Sequence, residues 1–236
     1  MTVTADHPSP RLQRNATVGD TTGAVVVIDV LRAFTTAAYA FAAGAARIYL
    51  VSGVGEALAL KATLPGALAM GEDGGLMPAG FDLPNSPVRA AAADVAGRTI
   101  VQRTSAGTQG VVAARRADRL WCASLVCASA TAGALARAEL GEPTYVITGH
   151  RPERGLAGAD DVIGALYIDA VRRGDPVDPA TADAIRTSDE AARTLVLGPE
   201  HVDPLDIDYC VDIDRFDFAM EVTRDAIGHR LDRIDP

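Results

Sequence analysis

The chain has 236 residues, 48% of them apolar and 22% charged, with a formal net charge of −9. That composition suits a soluble protein with a sizeable core, built as one large α/β unit or two tightly joined lobes, and excludes disorder, collagen, coiled coil and disulfide scaffold. The acidic balance argues against nucleic acid or an anionic membrane as partner, since both demand a positive surface. A small anionic ligand remains compatible with it, because a pocket's local field can oppose the global sign.

Cys122, Cys127 and Cys210 form neither a metal-ligand pattern nor a CxxC pair, so they read as free thiols of a reducing compartment. The N-terminal stretch lacks the pattern of a leader, and the longest uncharged apolar run, 34–46, is too short for a bilayer. The expectation is a cytoplasmic protein with no membrane contact. Residues 1–22 read as a polar, partly ordered extension ahead of a single unit, 23–236.

Taken in chain order, residues 24–30 (AVVVIDV) predict a strand buried on both faces, and 35–44 a helix closed by Gly44. A strand at 47–51, a helix at 55–64 and a short strand at 67–71 follow, the last delivering Glu72 into the loop 73–87. That loop is long and rich in glycine and proline, and long loops are more often functional than connecting. The alternation resumes with strands at 99–102, 119–123 and 144–148 and helices at 106–116, 129–140 and 160–172. A peripheral helix at 178–197 and closing strands at 208–213 and 216–222 complete the reading. It predicts a three-layer α/β/α fold around a mostly parallel or mixed sheet.

Ligands of such sheets bind beyond the carboxyl ends of the strands. Asp29 ends an apolar strand, where a carboxylate needs a metal, an arginine or backbone donors, or caps the next helix. Arg32, beside Thr35 and Thr36 at that helix start, suits a phosphate. Glu72 is followed by Gly74 and Gly75, and Asn85 and Ser86 precede Pro87, which makes Ser86 an N-cap or a ligand contact. Thr104, Ser105, Gly107 and Thr108 form a strand–turn–helix resembling a phosphate cradle without the P-loop lysine; plain capping is the competing reading. Asp160 and Asp161 open a helix, where its dipole alone accounts for them. Joined to Asp29 and Glu72, they would complete an all-oxygen site that selects Mg²⁺ over zinc. His150 stands in the loop before them, as a general acid or a surface residue.

At these residues the sequence resembles the 2-phosphosulfolactate phosphatase family. The stretches VVVIDVLRAFTTA, GEDGG…GFDLPNSP, RTSAGT, ASLVCASATA, GADDVIGALYIDA and DIDYCVDIDRFD carry the likeness, over about residues 24–217. It implies a Mg²⁺-dependent hydrolase of the phosphate ester of a small sulfonated hydroxy acid. Asp29, Arg32, Glu72, Asn85, Ser86, Thr104, Gly107, Thr108 and Asp161 match family-typical positions. Asp29, Glu72 and Asp161 would then hold the ion, and Arg32 with the 105–108 turn would stabilise the transferring phosphoryl group. Ser105 and Ala106 replace a threonine and an asparagine of the family motif, Cys127 replaces another asparagine, and Phe34 a small polar residue. Loss of two amides motivates one alternative, a diverged phosphatase for another small phosphate ester; a non-catalytic anion binder is the other. The partner expected is a small phosphorylated acid, and apolar helix faces leave room for a homodimer.

Overall fold

The computed structural model describes residues 9–150 and 155–235. Strands β1 (Arg11–Arg14), β2 (Ala24–Ile28), β3 (Arg47–Val51), β4 (Leu68–Gly71), β5 (Leu83–Pro84), β6 (Thr99–Arg103), β7 (Arg119–Ala123), β8 (Thr144–Ile147), β9 (Ala219–Arg224) and β10 (His229–Ile234) form one sheet in the order 1-8-2-7-9-10-3-6-4-5. The helices are α1 (Ala33–Ala42), α2 (Val54–Thr63), α3 (Pro87–Ala92), α4 (Gly107–Ala113), α5 (Ala128–Ala138), α6 (Ala159–Arg173), α7 (Thr181–Arg186), α8 (Asp189–Leu195) and α9 (Asp206–Cys210).

Apolar residues on both faces of β2, β7 and β8 suit strands covered on both sides, and these run parallel, with β1 at their edge. A second parallel group joins β3, β6, β4 and β5. Between the groups lies the β9–β10 hairpin, antiparallel to β7, within itself and to β3. Three antiparallel pairings reverse direction three times, so the two parallel groups run in opposite senses. The sheet is mixed, and the three-layer α/β expectation holds.

One apolar cluster unites inward residues of both groups, including Val27, Cys122, Val146, Leu50 and Ile100, with helix α1. All residues 33–41 of α1 are buried, as its alanine-rich, nearly uncharged sequence permits. Separate clusters cover the outer faces. Val26, Trp121 and Tyr145 pack with Ala165 and Ile168 of α6 on one group, and Val101 and Ala69 with Ala57 of α2 on the other.

Three expectations need correction, and one strand went unread. Residues 208–213 are not a strand: Asp206, Ile207, Cys210 and Val211 are buried, a helical spacing, and α9 forms there. The helix expected at 178–197 is two short helices, because Ser188 accepts a hydrogen bond from Ala191 N and starts α8 anew. The closing strand begins at Ala219 rather than residue 216. Its partner β10 escaped the reading, since Leu231 is its one fully buried side chain among charged neighbours. Phe34 and Cys127 lie fully buried in the apolar core.

Candidate active site

Asp29 follows the last residue of β2 and caps α1, accepting a hydrogen bond from Ala33 N at 2.8 Å. The first turn of α6 brings two more carboxylates to it. Asp161 accepts hydrogen bonds from Val30 N at 2.9 Å and Gly149 N at 2.7 Å, and Asp160 from Leu31 N at 3.2 Å. The Thr148 hydroxyl sits between, 3.3 Å from Asp29 Oδ2 and 3.2 Å from Asp161 Oδ2. These three carboxylates are 4%, 4% and 1% exposed for Asp29, Asp160 and Asp161, so water does little to screen them. Burial first, then the charges of Asp29 and Glu190, push Asp160 up to about 7. Burial, then Asp160 and Asp29, hold Asp161 well above the usual carboxylate range.

Gly107 lets the start of α4 approach this group closely. A Cβ there would stand 2.8 Å from both Asp29 Oδ2 and Ala33 Cβ, distances that a real side chain cannot adopt. The threonines beside it serve the turn itself. Thr104 N donates to Thr108 Oγ1 at 2.9 Å and Thr108 N to Thr104 Oγ1 at 3.1 Å, a reciprocal cap.

Glu72 arrives from β4 on the other side. Its Oε2 accepts from Gly75 N at 2.6 Å and from the Ser105 hydroxyl at 3.0 Å, while Oε1 accepts from Ser105 N. Glu72 thus ties the glycine loop to the β6–α4 turn. Arg103 reinforces the same junction, donating to Glu72 O and Asp73 Oδ1, each at 2.7 Å.

Arg32 is buried and ion-paired to Asp206 at 2.6 Å, with His201 O accepting from the same nitrogen at 3.1 Å. Asp206 in turn accepts from the Ser86 hydroxyl at 2.6 Å, and Ser86 caps α3. Ser86 therefore acts through Asp206 to hold Arg32, instead of facing a ligand.

Asp29, Arg32, Glu72, Asn85, Ala106 and Asp161 all line one cleft of about 200 Å³. Asp160, Gly149, Glu190, Arg193 and Leu197 complete its wall. Asn85 is buried there, and its side-chain oxygen has no hydrogen-bond partner. Ser86, Thr104, Ser105, Gly107 and Thr108 stand behind this surface. His150 lies outside the cleft, its Nδ1 3.0 Å from Ala157 O. The sequence reading missed Asp206, whose role in holding Arg32 has no local signal, and the α8 wall, whose start was hidden inside one long expected helix.

The donor chemistry fits a hard cation: all the acidic cleft groups offer oxygen, and the Asp29–Asp160–Asp161 group is electrostatically strained by its own charge. Among the described residues no three His, Cys, Asp or Glu side chains are grouped as a finished metal cage. Mg²⁺ is commonly bound by one or two carboxylates, with waters and substrate oxygens completing its shell. Among the described residues no helix is long and apolar enough to cross a membrane.

Comparison with known proteins agrees with the residue pattern. The family model for 2-phosphosulpholactate phosphatase matches residues 10–225. A probable 2-phosphosulfolactate phosphatase of Bacillus subtilis (strain 168) is 33% identical over 211 residues, covering 89% of this chain and 91% of that protein. Another from Thermus thermophilus is 34% identical over 221 residues, covering 88% and 90%. One from Carboxydothermus hydrogenoformans is 46% identical over 145 residues, covering 61% and 58%. Length of match, identity and motif order together make this chain a member of the 2-phosphosulfolactate phosphatase family.

Proposed function

We propose that the chain is a Mg²⁺-dependent phosphoric monoester hydrolase that converts 2-phosphosulfolactate to sulfolactate and phosphate. The observation that carries the reading is the meeting of Asp29, Arg32, Glu72, Asn85 and Asp161 in one cleft, from segments far apart in the chain. Family membership supports the same activity.

In this reading Arg32 binds the phosphate. Its anchoring to Asp206 fixes the guanidinium before substrate arrives, so little reorganisation is left for the reaction. Asn85 presents its amide to the same group. Asp160, pushed up to about 7, is placed to give a proton to the departing alkoxide oxygen as water takes the phosphoryl group. Asp29 and Asp161, with Asp160 beside them, would hold Mg²⁺, and Glu72 supports the site chiefly by ordering the Gly74–Gly75 loop. The ion, when bound, supplies Lewis-acid stabilisation of the phosphoryl oxygens. It would also offset the five acidic side chains that line the cleft, Asp29, Glu72, Asp160, Asp161 and Glu190.

The test is phosphate release from 2-phosphosulfolactate with Mg²⁺ and with a chelator. Activity that needs Mg²⁺ and vanishes in Asp29→Asn is expected; no release under either condition rejects the reading. Ala106, which lines the cleft where the family motif has asparagine, favours a second reading, hydrolysis of another small phosphate ester. A panel of phosphorylated hydroxy acids separates the two by relative kcat/KM.

A further inference from the structure

A substrate of the proposed class carries three acids on a three-carbon frame: the phosphate ester, a carboxylate and a sulfonate. Against it, the described lining of the cleft offers two cations, Arg32 and Arg193. They differ in depth and in partners. Arg32 is 3% exposed and already shares its charge with Asp206. Arg193 is exposed on α8 and makes no ion pair with any described carboxylate.

The rim helix that carries Arg193 is pinned at both sides. One turn earlier, Glu190 accepts from Ala159 N at the start of α6, at 3.3 Å. Arg193 itself donates through Nη1 to Gly155 O at 2.9 Å. Among the described residues that is its only hydrogen bond, and Arg193 lines the cleft, so the other donors of its planar fork can serve a ligand. A guanidinium is weakly hydrated, as is a sulfonate, so pairing the two at an exposed rim sacrifices little hydration on either side.

From this geometry, and resting on the functional reading above, we infer that Arg193 is a specificity-determining residue that binds the sulfonate while Arg32 binds the phosphate. The two guanidiniums divide the labour of one site. The deep one faces the group that reacts, and the outer one faces a group that stays unchanged.

The experiment measures phosphate release by the full chain, with Mg²⁺, from 2-phosphosulfolactate and from 2-phospholactate, which lacks the sulfonate. In Arg193→Gln, KM for the sulfonated ester rises about tenfold with kcat within about twofold, as expected for one charge-assisted contact at a partly wet rim. The preference for the sulfonated over the sulfonate-free ester, as a ratio of kcat/KM values, falls by a similar factor. Arg193→Lys, which keeps the charge but loses the fork, falls between. An unchanged preference in both variants, with the parent active, overturns this assignment alone. A parent protein that releases phosphate from neither ester overturns the functional reading, and the assignment with it.

Discussion

Two acidic residues end strands in the two parallel groups, Asp29 after β2 and Glu72 after β4, and their surroundings set them to different work. Glu72 meets backbone amides of Gly75 and Ser105 and the Ser105 hydroxyl, so its charge is satisfied by neutral donors. Asp29 accepts from the capping amide of Ala33 and lies near the Thr148 hydroxyl, with two further buried carboxylates close by. The same chemical group is a fastener on one side of the cleft and one of three crowded, buried carboxylates on the other, where burial and mutual repulsion favour the protonated form. The contrast teaches that neighbours of like sign, more than position in the sheet, set the protonation of a strand-end carboxylate.

The sharpest way to break the contrast is Asp29→Asn, which keeps a capping oxygen for α1 but removes the charge. Phosphate release should fall about a thousandfold with the fold retained by circular dichroism; a loss near that of Glu72→Gln would erase the distinction. Asp206→Asn comes next. It leaves the buried Arg32 guanidinium without its counter-charge and should lower stability by about 3–5 kcal/mol, read by denaturant unfolding.

A pH series probes the charged side more gently. Asp160 is held at about 7 against its ordinary 3.8, so between those values the unfolded chain has released a proton that the folded chain retains. Stability of the metal-free protein should therefore fall as pH rises from about 4 to about 7, flattening beyond. Asp160→Asn should remove much of that slope, and Mg²⁺ should reduce it, both visible as Tm against pH. The smallest effect belongs to Glu72→Gln. An amide cannot accept from all three donors, so about 1–3 kcal/mol is lost, with faster hydrogen exchange at Gly75 and Ser105 and an unchanged pH profile.

The sequence made much of both sides readable. Asp29, Glu72 and Asp161 each stand where an apolar strand or a helix start meets a loop, and that pattern is local. The place of Arg32 at a helix start was readable for the same reason. Its counter-ion was not, because Asp206 lies 174 residues away and sits among alternating acidic and apolar residues that mimic a strand. The mixed sheet was foreseen, but the placement of β9–β10 between the two parallel groups was not. Non-local pairing leaves no period in the sequence, and β10 is too charged to announce itself. For Thr104 and Thr108 two readings stood open, ligand cradle and plain capping, and the two hydroxyls cap their own turn.

The β9–β10 hairpin has a consequence for assembly. It follows every other strand in chain order yet lies in the middle of the sheet. Until residues 219–234 dock, β7 and β3 present open edges to solvent, and the two parallel groups are joined only through the helices between them. An emerging or nicked chain lacking the hairpin would therefore expose two sticky borders at once. The last seam to close guards the protein against its own copies.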